Sequence, residues 1–235
     1  MATATLDLWR VRLDELDAHP RLSGCLDAAE VARASRFLFP RDSTRFVASR
    51  VALRHILAHY LDARPHAVRL GYAAAGKPYL PDRPDLHFNL SHADDLLLVG
   101  VSHGRRLGVD VERIPGDSVV AETSGLVLSA PERAMIARLR DEARREWFAR
   151  LWTRKEAYIK ADGRGMGLKL ELIDVMTAPD RVRLCEEGSG RWAASPHWSL
   201  RTIPADAGYA AAVAVEGDDC GLEGIDWPGA LSLVG

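Results

Sequence analysis

The chain has 235 residues, 47% hydrophobic and 27% charged, with a net charge of −2, which fits one large globular domain or two small ones and argues against disorder and against a bulk charge suited to nucleic acid. Its three cysteines are far apart and lack a C-x-x-C, against both a disulfide scaffold and a zinc-thiolate site. The first sixteen residues carry Asp7, Asp14 and Glu15 and do not read as a signal peptide, and the apolar runs at 96–101 and 209–215 fall far short of the roughly 18–20 residues that span a bilayer, so the expectation is a soluble, cytoplasmic protein with no membrane partner.

Alternating apolar and polar residues predict a first strand at 6–13. Asp27 is placed to cap a helix over 28–37. Asp42 or Ser43 is placed to cap a second, long helix ending near Leu61, with Val47, Val51, Leu53, Ile56, Leu57, Tyr60 and Leu61 as its buried face. Residues 86–90 and 96–102 predict two strands, joined into a hairpin by the polar link 91–95. Residues 107–112 predict another strand. Pro115 and Gly116 end it, and 114–127 reads as a mobile loop. Ser129 is placed to cap a helix that begins Ala130-Pro131-Glu132. A long helix follows at about 142–160, with Trp147, Phe148, Leu151, Trp152 and Ile159 as its apolar face, ended by Gly163, Gly165 and Gly167. Short strands are expected at 175–176, 182–184, 198–203 and 208–215. Helices and strands mix without regular β-α-β alternation, which predicts an α+β fold. A division near 103–114 gives halves of similar size, and we set it as 1–106 and 107–235.

Several constellations carry chemistry. In Gly108-Val109-Asp110-Val111-Glu112, strand alternation puts Asp110 and Glu112 on one side and the valines on the other. Such a pair is either a hard oxygen site suited to Mg²⁺ or a solvated edge-strand face. In Trp152-Thr153-Arg154-Lys155-Glu156-Ala157-Tyr158-Ile159-Lys160, Glu156 and Lys160 share a helix face. They form a surface ion pair, or they add a third carboxylate and a phosphate-binding ammonium to the first pair. The basic residues are 27 Arg and only four Lys, at 77, 155, 160 and 169, so a lysine here marks a place for a compact ammonium. Arg33, Arg36, Arg41, Arg45, Arg50 and Arg54 face only Glu30 and Asp42 in residues 28–54, a stretch that serves an anion or a salt-bridged surface. Gly76-Lys77-Pro78 mimics the end of a phosphate-binding P-loop. Pro78 stands where Ser or Thr must bind Mg²⁺, which rules that motif out but leaves a lysine turn able to meet a nucleotide. In Phe88-Asn89-Leu90-Ser91-His92, Ser91 and His92 at a hairpin turn suit phosphate. His55 and His59 lack an H-E-x-x-H and read as surface residues.

In this order these motifs resemble the 4′-phosphopantetheinyl transferases of the larger, surfactin-synthetase-activating type. The matching segments are residues 33–54, GKPYLPD at 76–82, FNLSH at 88–92, GVDVE at 108–112 and LWTRKEAYIKADGRGMG at 151–167, within roughly residues 25–215. The resemblance implies two similar α+β halves related by a pseudo-twofold, fused in a monomer, with the active site between them. It implies transfer of 4′-phosphopantetheine from coenzyme A to a serine of an apo carrier protein of polyketide, nonribosomal-peptide or fatty-acid synthesis, leaving adenosine 3′,5′-bisphosphate. Asp110, Glu112 and Glu156 would then hold Mg²⁺, with Glu156 also a candidate base. Lys160 would contact the pyrophosphate, and Gly76, Lys77 and Pro78 would line the adenine pocket. Ser91, His92 and Arg33 would bind phosphates, with Arg45 and Arg50 supporting. Glu132 matches a glutamate near the metal, and Glu30 departs from the basic residue common at its position, which implies an altered 3′-phosphate clamp. The carrier would dock at 114–127 and around Arg164 and Met166. Rival readings are an inert binding module and a metal-dependent nuclease or phosphatase. The complete carboxylate set argues against the first, and the lysine turn with the arginine stretch against the second.

Overall fold

The computed structural model describes residues 5–16, 24–74, 76–163, 168–178, 180–195, 197–217 and 221–226, so Arg164 and Met166 lie outside the described residues. It is an α+β fold, as its sequence pattern predicts. The first half builds on β1 (Thr5–Arg12), α1 (Ala28–Ala34), α2 (Pro40–Leu61), the short pair β2 (Gly71–Tyr72) and β3 (Pro78–Tyr79), and the hairpin β4 (Leu86–Ala93) and β5 (Leu96–His103). The second contains β6 (Leu107–Arg113), α3 (Asp117–Val127), α4 (Ala130–Ile136), α5 (Asp141–Asp162), β7 (Ile173–Asp174), β8 (Val182–Cys185), β9 (Trp192–Ser195), β10 (Trp198–Ile203), β11 (Tyr209–Glu216) and β12 (Gly221–Asp226). One sheet has the order β12-β1-β5-β4 and another β10-β11-β6, so β12 returns from the end of the chain to pair in parallel with β1.

Local chemistry starts the helices where it was expected at two of the five. Asp27 and Glu30 form a reciprocal capping box on α1, and Ser129 and Glu132 form another on α4. α2 begins three or four residues earlier than expected, with Phe39 as N-cap and Pro40 in the first turn, where a missing N–H costs nothing. The segment expected as a mobile loop is instead α3. Its Val120 and Val127 are buried in the core beside α5, and that apolar anchoring outweighs the weak helical signal of its Ser, Thr and Gly. Ser91 and His92 also depart from the hairpin-turn reading. β4 runs on through Ala93, leaving only Asp94 and Asp95 between the strands.

Each half packs a 22-residue helix on its sheet. α2 buries Val51, Leu53, Ile56 and Leu57 against Val11, Phe88, Leu97 and Val99. α5 buries Phe148, Leu151 and Tyr158 with Ala212 and Ala214, whereas Trp147, expected in its apolar face, is exposed beneath the Arg150 guanidinium. Between the sheets, Leu6, Leu98, Val109, Val111 and Val213 share one core. Gly108 fixes how close α5 comes to β6. A Cβ there would stand 2.2 Å from the carbonyl oxygen of Ala157 and 2.4 Å from the amide of Ala161, both backbone and unable to yield. Gly108→Ala is expected to cost about 2–3 kcal/mol, because the helix must move off the strand. Thermal melting checks this, and an unchanged melting temperature would show that the helix gives way freely.

Candidate active site

The two sheets meet edge to edge, and the site forms at that seam. β4 is the edge of the first sheet and β6 the edge of the second. Asn89 Oδ1 accepts the Val109 N–H at 2.9 Å, which satisfies an edge-strand donor that neither sheet pairs. Two residues on, on the same face of β4, Ser91 donates its hydroxyl to Asp110 Oδ1 at 2.9 Å. Period-two alternation on two facing strands therefore brings residues nineteen apart in sequence into contact. Asn89 lay inside a quoted motif, but only the junction of the edges shows its role.

α5 supplies the third side. Lys160 Nζ donates to Asp110 Oδ1 at 2.6 Å and to Ser91 Oγ at 2.9 Å, while a third of the lysine side chain stays exposed. Asp110 itself is buried, and its Oδ2 has no hydrogen-bond partner. Glu112 and Glu156 are half-buried beside it. Burial first, and then the Asp110 charge, push the Glu112 carboxyl up to about 7, with Lys160 opposing and Glu156 adding to the rise. Glu156 is raised for the same two leading reasons. Among the described residues, no three His, Cys, Asp or Glu side chains stand close enough to hold a metal ion as placed. The three carboxylates are in electrostatic reach of one another, and Lys160 serves as the cation at Oδ1.

Lys77 reaches the same seam from the turn between β2 and β3. Its ammonium donates to the carbonyl oxygens of Leu107 at 3.0 Å and Lys160 at 2.6 Å, and burial lowers its pKa to about 8. It thus ties the start of β6 to the last turn of α5, where helix carbonyls lack partners. Gly163, with φ 83°, ends that helix in the left-handed region open to glycine. A cavity of about 240 Å³ opens here, lined by Gly76, Lys77, Pro78, Asn89, Lys160 and Gly163 among others.

The arginines are divided. Arg45 is gripped by Asp95 at 2.7 and 2.8 Å and touches Asp94 at 3.4 Å. Arg50 is buried, lies over Phe46 and has an unpartnered Nη1. Arg33 is exposed and covers the Phe46 ring as well. His92 keeps contact with solvent, yet local desolvation and then the charges of Lys160, Arg45 and Arg50 lower its pKa. Two capping-box glutamates hold buried cations. Glu30 is buried in an ion pair with Arg54 at 2.7 Å, as well as capping α1. Glu132, expected near a metal, is fully buried against Lys155 at 2.6 Å, because its capping role turns its carboxylate inward.

Comparison with known proteins agrees along most of the chain. Residues 9–103 match the family model for the 4′-phosphopantetheinyl transferase N-terminal region, and 106–214 that of the 4′-phosphopantetheinyl transferase superfamily. The chain is 37% identical to the 4′-phosphopantetheinyl transferase HetI of Nostoc sp., over 89% of this chain and 87% of that one. It is 28% identical to the 4′-phosphopantetheinyl transferase Sfp of Bacillus subtilis, over 77% of this chain and 78% of that one. A solved holo-(acyl-carrier-protein) synthase from Bacillus anthracis, in complex with CoA (3′,5′-ADP), superposes on 48% of this chain and 96% of its own, with TM-score 0.36 and 21% identity.

Proposed function

The chain belongs to the 4′-phosphopantetheinyl transferase superfamily, and from that membership we propose that this enzyme moves the 4′-phosphopantetheine of coenzyme A onto a serine of an apo carrier protein and releases adenosine 3′,5′-bisphosphate. The observation that carries this reading is the triangle of Ser91, Asp110 and Lys160 at the seam, beside Glu112 and Glu156. Coenzyme A brings a pyrophosphate and a 3′-phosphate. Transfer between phosphate oxygens is mostly positioning and charge neutralisation. The serine oxygen bonds to the phosphorus that carries pantetheine, and the bond from that phosphorus to the nucleotide phosphate breaks.

The residues divide the work. Lys160, poised at the Asp110 carboxylate, donates hydrogen bonds to the pyrophosphate as negative charge gathers on the leaving oxygen. Glu156, with its raised pKa, accepts the serine proton. Ser91, His92 and Arg33 bind phosphates. Arg50 supports them through its unpartnered Nη1, and Arg45 holds the adjoining turn. Gly76, Lys77 and Pro78 line the nucleotide cavity.

Mg²⁺ fits this donor set. Asp110 keeps a buried oxygen without a partner, and burial, followed by the Asp110 charge, raises the carboxyls of Glu112 and Glu156, as expected where a cation is due. These three would hold the ion, which supplies further charge neutralisation at the pyrophosphate. One chain contributes both edges of the seam, so a monomer suffices, working in the cytoplasm and on no nucleic acid. The carrier meets α3, where Val119 and Leu126 are exposed.

The test is incubation with coenzyme A, Mg²⁺ and a panel of apo carrier proteins, followed by mass measurement. One carrier should gain one phosphopantetheine, and none should do so with excess EDTA. No gain on any carrier in Mg²⁺ would defeat the reading. Lys160→Arg is expected to slow transfer at least about tenfold, roughly 1.4 kcal/mol in the barrier. The planar guanidinium is too large for the space an ammonium fills between Asp110 and Ser91. Single-turnover rates measure this, and full activity in the arginine variant would show that any cation serves.

A further inference from the structure

We propose that the corner between α1 and α2 is a second docking contact for the carrier protein and that it takes an acidic surface with apolar side chains; this rests on the transferase reading above. Phe37, Leu38 and Phe39 join the two helices and are 37%, 84% and 62% exposed, with Val31 of α1 also exposed nearby. Single exposed apolar residues are ordinary, but a contiguous group marks a contact surface.

The charges around this group are one-sided. Arg33, Arg36 and Arg41 are exposed, and none forms an ion pair among the described residues. Of the neighbouring acids only Asp42, whose charge also acts on Arg45, is left to set against these arginines. Asp27 and Glu30 hold Arg54, and Asp94 and Asp95 hold Arg45. An apolar centre rimmed by free cations complements a partner with the opposite rim.

The corner also adjoins the proposed site. Arg33 covers the Phe46 ring at 5.2 Å and Arg50 at 5.3 Å, so the surface continues into the phosphate-binding arginines. Pro40 opens α2, and Arg50 lies about 15 Å further along its axis at the α-helical rise. Asp94 touches both Arg45 of α2 and Arg113 at the end of β6, just before α3 begins. Asp94 thus links the second turn of α2 to the approach to α3, and a carrier lying across α3 as its serine enters the seam would extend toward the corner. Exposed Phe and Leu among arginines also suit an anionic bilayer. The carrier is favoured because Arg33 shares the Phe46 ring with Arg50, so the corner continues toward the seam where its serine arrives.

The experiment makes Leu38→Asp and, separately, Arg36→Glu in the full chain, and measures kinetics with an apo acyl carrier protein and coenzyme A, each varied in turn. Each variant is expected to raise KM for the carrier at least about fivefold and to leave KM for coenzyme A within about twofold. High salt should narrow the gap between wild type and Arg36→Glu and leave the Leu38→Asp effect in place, because only the former is an exposed charge effect. Both side chains face solvent, so melting temperatures should match the wild type. Carrier KM unchanged in both variants, with wild-type transfer intact, overturns the docking site and leaves the transferase reading standing. A wild type that binds coenzyme A but modifies no carrier overturns both. Sedimentation with vesicles of phosphatidylcholine and phosphatidylglycerol separates the membrane case. Loss of vesicle binding in Leu38→Asp with carrier KM unchanged would assign the corner to a bilayer and overturn the inference.

Discussion

Asp110→Ala is expected to abolish transfer, lowering kcat/KM by at least about a thousandfold, while the protein still folds. The carboxylate is the shared acceptor of Ser91 and Lys160 and the common cause, after burial, of the raised pKa values of Glu112 and Glu156. Its loss removes the charge around which the site is organised. The stability cost is smaller, about 1–3 kcal/mol, because the partly exposed Lys160 turns to water and Ser91 keeps a hydrogen bond from that lysine or from solvent. Asp110→Asn keeps the shape and loses the charge, so its activity should fall nearly as far. Transfer assays beside thermal melts separate folding from chemistry. Near-normal turnover by a folded Asp110→Ala protein in excess EDTA would falsify both the role of Asp110 and the need for a metal.

Lys155→Met is expected to destabilise the protein by about 3–5 kcal/mol, because it leaves the Glu132 charge buried without its counterion. Neither side chain of this pair reaches solvent. The lysine also donates to the carbonyl oxygens of Val127 and Leu170, and Glu132 accepts from the amides of Ser129 and Val175. One ion pair therefore clamps the end of α3, the start of α4 and the chain before β7 onto α5. Burial lowers the Lys155 pKa and Glu132 opposes that shift, so the pair depends on both members. Glu132→Gln combined with Lys155→Met should recover part of the loss, since an uncharged amide replaces the stranded carboxylate. Chemical denaturation of the single and double variants measures the coupling. A loss below about 1 kcal/mol in Lys155→Met would mean that water reaches the pair.

The split between these two lysines shows where the amino-acid pattern stops informing. Scarcity of lysine marked Lys77, Lys155 and Lys160 alike. Only packing separates Lys155, sealed against Glu132, from Lys160, which faces the seam. Glu132, expected near a metal, and Glu30 both turn inward onto buried cations for the same reason. A capping box is visible in the order of residues, but which way its carboxylate leans, and onto which distant cation, is not.

What the sequence determined by itself is local and periodic. Alternation put Asp110 on the face opposite Val109 and Val111, helical spacing aligned Glu156 with Lys160, and Asp27 and Ser129 marked helix starts. Those signals arise from a few adjacent dihedrals, so a short stretch of chain carries them. Tertiary structure alone decided the rest. It turned 117–127 from loop into helix by burying Val120 and Val127, and it extended β4 through Ser91 and His92. It joined two sheets at their edges through Asn89, because an unpaired strand amide must find an acceptor that no local pattern supplies. The meeting of Ser91, Asp110 and Lys160 follows from that join, since contacts between residues so far apart in the chain form only when the two halves bury their shared core.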